Sequence, residues 1–400
     1  MLTEHEFTVP LDHDDPNGEF ITVFAREIAD PDGMDKPFVV YFQGGPGMEA
    51  PRPIGPGSPF PMQRLLQDHR VLMLDQRGTG RSTPVGDLEG RTPQQQADYL
   101  TKFRADSIVK DAELVRQHLG VSRWAVLGQS FGGFCVLNYL STAPDSLSAA
   151  YITAGLPPLG RHPDEIYAAT YQRLLERNRR FYERYPADRP RMRDLVSRIE
   201  NEKIILGDGD RLTPRRLRMA GVHLGMSDGA ERLHYLLETP PDSPAFRYDA
   251  RDPMGFTRNP IYAIIHEACY ADGYATTWSA ARTQPDEYVS DETLFTGEHV
   301  FPWTFDDFSA LHPLKEAAEI LAGHEWPRLY DPEVLRRNEV PAAAAIWVED
   351  AYVESSFSLE TAAQVQGMRS WLTNEFEHDG LRKAGDRILD HLMALASGRA

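Results

Sequence analysis

The residues best suited to chemistry in this chain are a serine enclosed by glycines, a carboxylate and a histidine, in that order. Ser130 lies within Gly-Gln-Ser-Phe-Gly at positions 128–132, Asp350 follows an apolar run, and His378 comes 28 residues later. A serine hydroxyl is a weak nucleophile until a base takes its proton, and a carboxylate must orient that base. The three residues predict acyl transfer with Ser130 as nucleophile, His378 as base and Asp350 as the orienting acid.

The sequence around Ser130 is typical of a strand, a sharp turn and a helix. An apolar run at 124–127 predicts a buried strand, and a helix-compatible apolar run follows at 134–140. This context is the one that a nucleophile elbow requires. The glycines suit it because a Cβ at either flanking position would clash with strand or helix. The alternative is an ordinary glycine-rich turn between a strand and a helix.

Two further choices concern the acid and the donors for a developing oxyanion. Glu349 is the competing acid, and Asp350 is preferred because it lies one residue further past the strand and has the shorter side chain. Acyl transfer also needs N–H donors for the oxyanion. We expect these from the amide of Phe131 and from the amide of Gly45, since Pro46 has no N–H to give.

Alternating strands and helices around these residues predict an α/β fold, with a mostly parallel central sheet in an α/β-hydrolase arrangement. Predicted strands alternate with helices up to about residue 156, and two further strands follow near 342–348 and 369–373. The segment from 157 to 338 reads mainly as helix and lies between two strands of that sheet. We therefore expect a catalytic core of residues 1–156 and 339–400 and an inserted, mainly helical cap of residues 157–338.

Composition limits the partners and the compartment. The 400 residues carry a net charge of -18, which argues against nucleic acid or an anionic membrane as partner. No apolar run is long enough to span a membrane, and the acidic N-terminal sequence is unlike a signal peptide. Two cysteines suit a reducing compartment, so a cytoplasmic location is expected. No cofactor or metal is expected, because no residues have metal-site spacing; the oligomeric state stays open.

With these residues placed, the chain resembles the proline iminopeptidase family of α/β-hydrolase serine peptidases. The resemblance is carried by the stretches 43–47 (Gln-Gly-Gly-Pro-Gly), 75–82 (Asp-Gln-Arg-Gly-Thr-Gly-Arg-Ser) and 128–133 (Gly-Gln-Ser-Phe-Gly-Gly). It covers the core, and Gln43 departs from the histidine that the family usually has there. The resemblance implies an exopeptidase that releases an N-terminal residue, typically proline, from short peptides. It also implies that the stretch 75–82 supports the structure and takes no part in catalysis.

An exopeptidase of this kind must hold a protonated N-terminal amine, for which a carboxylate in the cap is suited. Glu267, followed closely by tyrosine, resembles the family's amine-binding glutamate, and Glu298 lies in an apolar, aromatic context. Glu238 is a third candidate. Possible residues of an apolar pocket for a proline ring are Tyr270, Phe301 and Trp303.

Two other functions compete with the peptidase. A carboxylesterase or other α/β-hydrolase acting on small esters or amides would use the same three catalytic residues, but it would need no carboxylate in the substrate pocket. A non-catalytic binding protein of the same fold is disfavoured, because such proteins often lose a member of the triad and this chain has all three. The substrates expected are short peptides with a free N-terminus.

Overall fold

One eight-stranded sheet runs through the protein in a computed structural model that describes residues 1–55, 58–59 and 61–400. The order of the strands across the sheet is β1-β2-β4-β3-β5-β6-β7-β8. Their bounds are β1 (Leu2–Pro10), β2 (Phe20–Ile28), β3 (Phe38–Phe42), β4 (Arg70–Asp75), β5 (Trp124–Gln129), β6 (Leu147–Thr153), β7 (Ala342–Trp347) and β8 (Met368–Thr373).

Most of the sheet is parallel. The strand β2 pairs antiparallel with β1 and with β4, whereas the pairs β4–β3, β3–β5, β5–β6, β6–β7 and β7–β8 are all parallel. Parallel neighbours need crossover connections, and helices supply them on both faces of the sheet. The predicted α/β class with a mostly parallel central sheet is confirmed.

Alternate residues of the central strands face two different helical layers. In β3, Val39 and Tyr41 belong to the apolar cluster on one face, whereas Val40 and Phe42 belong to the cluster on the other. Successive side chains of a strand point to opposite faces, so a strand buried on both sides is apolar throughout. The helices of the chain up to β6 are α1 (Met62–Asp68), α2 (Pro93–Leu100), α3 (Ala105–His118) and α4 (Phe131–Thr142).

Between β6 and β7 the chain forms a helical segment, residues 157–338. Its helices are α5 (Pro163–Arg184), α6 (Asp188–Asn201), α7 (Pro214–Arg218), α8 (Gly229–Glu238), α9 (Pro244–Asp249), α10 (Pro260–Ile265), α11 (Ser279–Arg282), α12 (Glu287–Ser290), α13 (Thr304–Asp307), α14 (Lys315–Ala322) and α15 (Pro332–Leu335). Proline occupies the first position of several of them, where its missing N–H costs no helical hydrogen bond.

Two helices complete the chain: α16 (Ser355–Gln364), which connects β7 to β8, and α17 (Gly380–Ala396), which follows β8. The apolar side of α17, including Ile388, Leu389 and Leu392, packs in the same cluster as Val39 and Tyr41. No helix among the described residues is both long and apolar enough to cross a membrane.

Candidate active site

Ser130 occupies the sharp turn between β5 and α4. Its backbone has φ of 54° and ψ of -126°, a conformation that non-glycine residues rarely adopt. Two hydrogen bonds hold the turn, from the Ser130 N–H to the Thr153 carbonyl at 3.0 Å and from the Gly133 N–H to the Ser130 carbonyl at 2.7 Å. A Cβ at Gly128 would lie 2.2 Å from the Gly132 carbonyl oxygen, and one at Gly132 would lie 2.0 Å from that of Phe42. Both positions therefore require glycine.

His378 follows β8 and faces the carboxylate of Asp350, which follows β7. The His378 Nδ1 lies 2.8 Å from Oδ2 and 3.0 Å from Oδ1 of Asp350. The Asp350 Oδ1 also accepts hydrogen bonds from the N–H groups of Tyr352 at 2.8 Å and Val353 at 3.1 Å. Because Asp350 is buried and held on several sides, its carboxylate fixes the orientation of the imidazole.

The electrostatics of this pair favour a basic imidazole. Burial by itself would lower the pKa of His378, but the adjacent Asp350 carboxylate outweighs it and raises that pKa above its ordinary value. Glu349, the alternative acid, is half-exposed and pairs with Arg180 at 2.6 Å. The structure therefore brings Asp350, and not Glu349, to His378.

Ser130 and His378 line one cavity of about 280 Å³. Within the described residues, the Ser130 hydroxyl forms no hydrogen bond with the imidazole. Catalytic hydrogen bonds are commonly long in substrate-free enzymes and shorten when substrate binds. The arrangement is suited to proton transfer once a substrate carbonyl lies between the loops around them.

The loop after β3 forms another wall of this cavity, through Gly44 and Gly45. A Cβ at Gly44 would lie 3.0 Å from the Ser130 Cβ, so the backbone of this loop passes directly against the nucleophile. The carbonyl of Gln43 accepts a hydrogen bond of 2.9 Å from the Gln76 side chain. Of the predicted oxyanion donors, Phe131 follows Ser130 directly in the first turn of α4, and Gly45 lines the same cavity as Ser130.

The stretch 75–82 holds that loop in place. The buried carboxylate of Asp75 accepts hydrogen bonds from the Arg52 guanidinium at 2.9 and 2.7 Å and from the Ala50 N–H at 3.2 Å. Charge-assisted hydrogen bonds of this kind are stronger than neutral ones. Asp75 therefore fastens the chain that follows the glycine loop to the end of β4, as expected of a supporting element.

Glu298 is the predicted cap carboxylate that the structure brings to the cavity. Its side chain lines the same space as Ser130 and His378. One of its oxygens accepts a hydrogen bond from the Tyr262 hydroxyl, and the other lies 3.7 Å from the His266 Nε2. The carboxylate is therefore held within reach of a ligand in the cavity.

Glu267, the other predicted amine-binding carboxylate, is not among the residues that line this cavity. Its buried carboxylate accepts hydrogen bonds from the backbone N–H groups of Ala280 at 2.9 Å and Ser279 at 3.2 Å, at the start of α11. Burial raises the pKa of Glu267. This carboxylate already serves as the acceptor for two N–H groups at the start of a helix.

The remaining sequence candidates also lie away from the cavity wall. Glu238, at the end of α8, is half-exposed and lies 3.8 Å from Arg191. Phe301 and Trp303 stack on each other with ring centroids 5.0 Å apart. Tyr270 is buried, and its hydroxyl donates to the Tyr352 carbonyl at 3.3 Å. These rings serve packing.

Sequence reasoning missed Tyr262 and Tyr352, which line the cavity. The Tyr352 ring packs edge-on against the imidazole of His378, with centroids 4.5 Å apart. Its position two residues after Asp350 was an available signal, because residues after the acid belong to the same loop. Tyr262 carried no such signal, since only the packing of α10 brings it to Glu298.

A third missed residue, Arg177 of α5, connects the two loops that carry Asp350 and His378. Its guanidinium donates to the backbone carbonyl of Glu349 at 2.6 Å and to a carboxylate oxygen of Glu377 at 2.7 Å. Glu349 and Glu377 immediately precede Asp350 and His378. Arg177 therefore fastens both loops to one helix of the segment 157–338.

The chain is similar to known proteins over nearly its whole length. Residues 37–264 match the family model of the alpha/beta hydrolase fold. The chain is 47% identical over 407 residues to a proline iminopeptidase of Aeromonas sobria, covering 98% of this chain and 95% of that protein. It is 33% identical over 423 residues to a proline iminopeptidase of Aspergillus aculeatus, covering 99% and 94%. The similarity therefore extends over nearly the whole chain.

Proposed function

This chain belongs to the proline iminopeptidase family of the α/β-hydrolase fold, and on that premise we propose that it releases N-terminal proline from short peptides. The observation that carries the proposal is the placement of Glu298 in one cavity with Ser130 and His378. A carboxylate at that place can pair with the ammonium of a free N-terminus. An esterase of fatty or aryl acids does not need such a carboxylate, because its substrates carry no ammonium group.

The reaction would proceed through an acyl-enzyme. The Ser130 hydroxyl attacks the carbonyl of the N-terminal residue while His378 takes its proton, and Asp350 stabilises the imidazolium that forms. The N–H groups of Phe131 and Gly45 would bind the developing oxyanion. His378 then returns the proton to the leaving amine, and a water molecule that it activates releases the free amino acid.

The walls of the cavity fit a small apolar ring. Tyr262, Tyr352, Met48 and Val222 contribute rings and aliphatic side chains around the polar groups. Burying the apolar part of a residue of this size contributes roughly 1.5–3 kcal/mol. Proline, a small and apolar residue with a charged amine, matches both the walls and Glu298.

The state of the cysteines bears on the cellular compartment. Both cysteines, Cys135 and Cys269, are free and buried, which is compatible with a reducing compartment. We infer a cytoplasmic peptidase that acts on peptides with a free N-terminus.

Release of 4-nitroaniline from L-prolyl-4-nitroanilide tests the proposal, run beside the N-acetylated compound and a short-chain 4-nitrophenyl ester. We expect rapid cleavage of the free prolyl amide and none of the blocked one, because acetylation removes the charge that Glu298 would bind. Cleavage of the ester alone would contradict the proposal and favour the esterase.

A further inference from the structure

Two arginines line the catalytic cavity, and the side chain of one of them has no partner among the residues that the structure describes. Arg232 donates to the carboxylate of Asp228 at 3.1 Å. Arg382 lines the cavity but forms no hydrogen bond or ion pair through its side chain within residues 1–55, 58–59 and 61–400. Its guanidinium is therefore free to bind an anion in the cavity.

The carboxylates of the same cavity wall are held by other groups. Asp379 accepts hydrogen bonds from the N–H and the hydroxyl of Ser227 at 3.0 and 2.6 Å, and its side chain is buried. Glu298 is held by Tyr262, and Asp228 by Arg232. The positive charge of Arg382 thus has no partner among the carboxylates that line the cavity.

Arg382 lines the cavity from the chain segment that directly follows the candidate base. It is four residues after His378, in the first turn of α17. The leaving amine must lie within hydrogen-bond reach of His378 to receive its proton. The residue attached to that amine would therefore pass along the segment between His378 and Arg382.

A second cavity adjoins the catalytic one. It has a volume of about 260 Å³ and shares Arg382, Asp379, Gln43 and Gln129 with the catalytic cavity. The Gln43 side-chain oxygen accepts a hydrogen bond from the Tyr41 hydroxyl at 3.1 Å. The walls of this second cavity thus carry one cation, Arg382, and one carboxylate, Asp379, whose Oδ1 already accepts two hydrogen bonds from Ser227.

Resting on the proposed exopeptidase function, we propose that Arg382 binds the free α-carboxylate of a short leaving group. A guanidinium can bind a carboxylate through two parallel hydrogen bonds. The α-carboxylate must lie within the cavity to make this contact, so the proposal favours short substrates such as dipeptides. Such peptides carry an ammonium for Glu298 at one end and a carboxylate for Arg382 at the other.

The test compares prolylglycine with prolylglycinamide, which lacks only the carboxylate charge, in the wild type and in Arg382→Gln. Release of proline is measured for both. We expect the wild type to prefer the free acid by roughly tenfold in kcat/KM, the effect of one charge-assisted contact at a half-open site. Arg382→Gln should lose that preference through a higher KM for the acid, and its kcat/KM for the amide should stay within about twofold.

Arg387→Gln is the matched control. Arg387 lies on the same helix and pairs with Glu375 on the surface, so this variant removes the same charge and should keep the preference. A carboxylate could also reach Arg382 from an acidic side chain of the leaving group. Prolyl-aspartic acid α-amide, which has a side-chain carboxylate and no free α-carboxylate, tests this alternative. Dependence on Arg382 for that substrate alone would overturn the proposal, as would a wild type that cleaves the acid and the amide equally well. Failure to cleave either dipeptide would instead contradict the exopeptidase function itself.

Discussion

The imidazole Nδ1 of His378 lies 2.8 Å from the carboxylate Oδ2 of Asp350, and both side chains are buried. This contact joins the ends of two neighbouring parallel strands, β7 and β8. It has two consequences: the tautomer of the imidazole is set with its Nε2 as the acceptor, and the Asp350 charge stabilises the protonated ring. Both bear on how activity depends on pH.

The acid limb of the pH profile should report His378. Only the neutral imidazole can accept the serine proton, and its raised pKa keeps it protonated to higher pH than an ordinary histidine. The kcat/KM for prolyl-4-nitroanilide should therefore fall on acidification, with a midpoint above about 6.5. Asp350→Asn should lower kcat by roughly 10⁴-fold because it favours the wrong tautomer. A midpoint well below 6.5 in the wild type would contradict the assignment of the base.

Glu298→Gln should reduce the discrimination for a charged amine. The variant keeps a hydrogen-bond acceptor for Tyr262 but loses the negative charge. We expect kcat/KM for the prolyl anilide to fall roughly 10- to 100-fold. The anilide of tetrahydrofuran-2-carboxylic acid, in which oxygen replaces the ring N–H, should change little. Glu238→Gln, at the exposed end of α8, is the matched control, and an equal loss with both substrates would refute the role of Glu298 as anchor.

Glu267→Gln should act on stability and leave substrate discrimination unchanged. The carboxylate accepts the N–H groups of Ser279 and Ala280 with separate oxygens, and glutamine retains only one acceptor. The loss of one buried hydrogen bond should lower the free energy of unfolding by about 1–3 kcal/mol. Thermal unfolding followed by circular dichroism measures it. A selective loss of activity on free amines, with unchanged stability, would restore Glu267 as an amine-binding residue.

Arg177→Ala should lower kcat more than it raises KM. Without the guanidinium, the loops that carry Asp350 and His378 lose their common anchor on α5. A displacement of about 1 Å at a catalytic group can cost roughly 100-fold in rate. Arg177→Lys should recover part of the loss. Arg180→Ala is the control, because Arg180 contacts the Glu349 side chain and not its backbone; a similar loss there would show a general effect of charge.

Much of the fold and of the catalytic triad follows from local sequence. The run before Ser130, its flanking glycines and the helix after them are consecutive, so short-range sterics suffice to predict the turn. The strand β1 illustrates the limit. It begins at Leu2, which apolar periodicity does not indicate, because residues 3–6 are polar and belong to an edge strand with partly exposed side chains. Pairing with β2, and not apolar periodicity, determines its length.

The cap residues could not be chosen from sequence because their roles depend on long-range packing. Glu267 and Glu298 both have apolar neighbours in sequence, yet one accepts hydrogen bonds from the start of α11 and the other lines the cavity. The role of Arg177 could not be predicted from sequence either, since its partners lie more than 170 residues away along the chain. The helix α5 has many other arginines in surface ion pairs, and sequence alone does not distinguish Arg177 from them.

The most direct test of the central claim is the turnover of L-prolyl-4-nitroanilide by purified Ser130→Ala, with circular dichroism to verify its fold. If Ser130 is the residue that becomes acylated, kcat should fall by at least about 10⁴-fold while the unfolding temperature stays near that of the wild type. Turnover within tenfold of the wild type by the folded variant would contradict the claim. It would show that another group attacks the prolyl carbonyl.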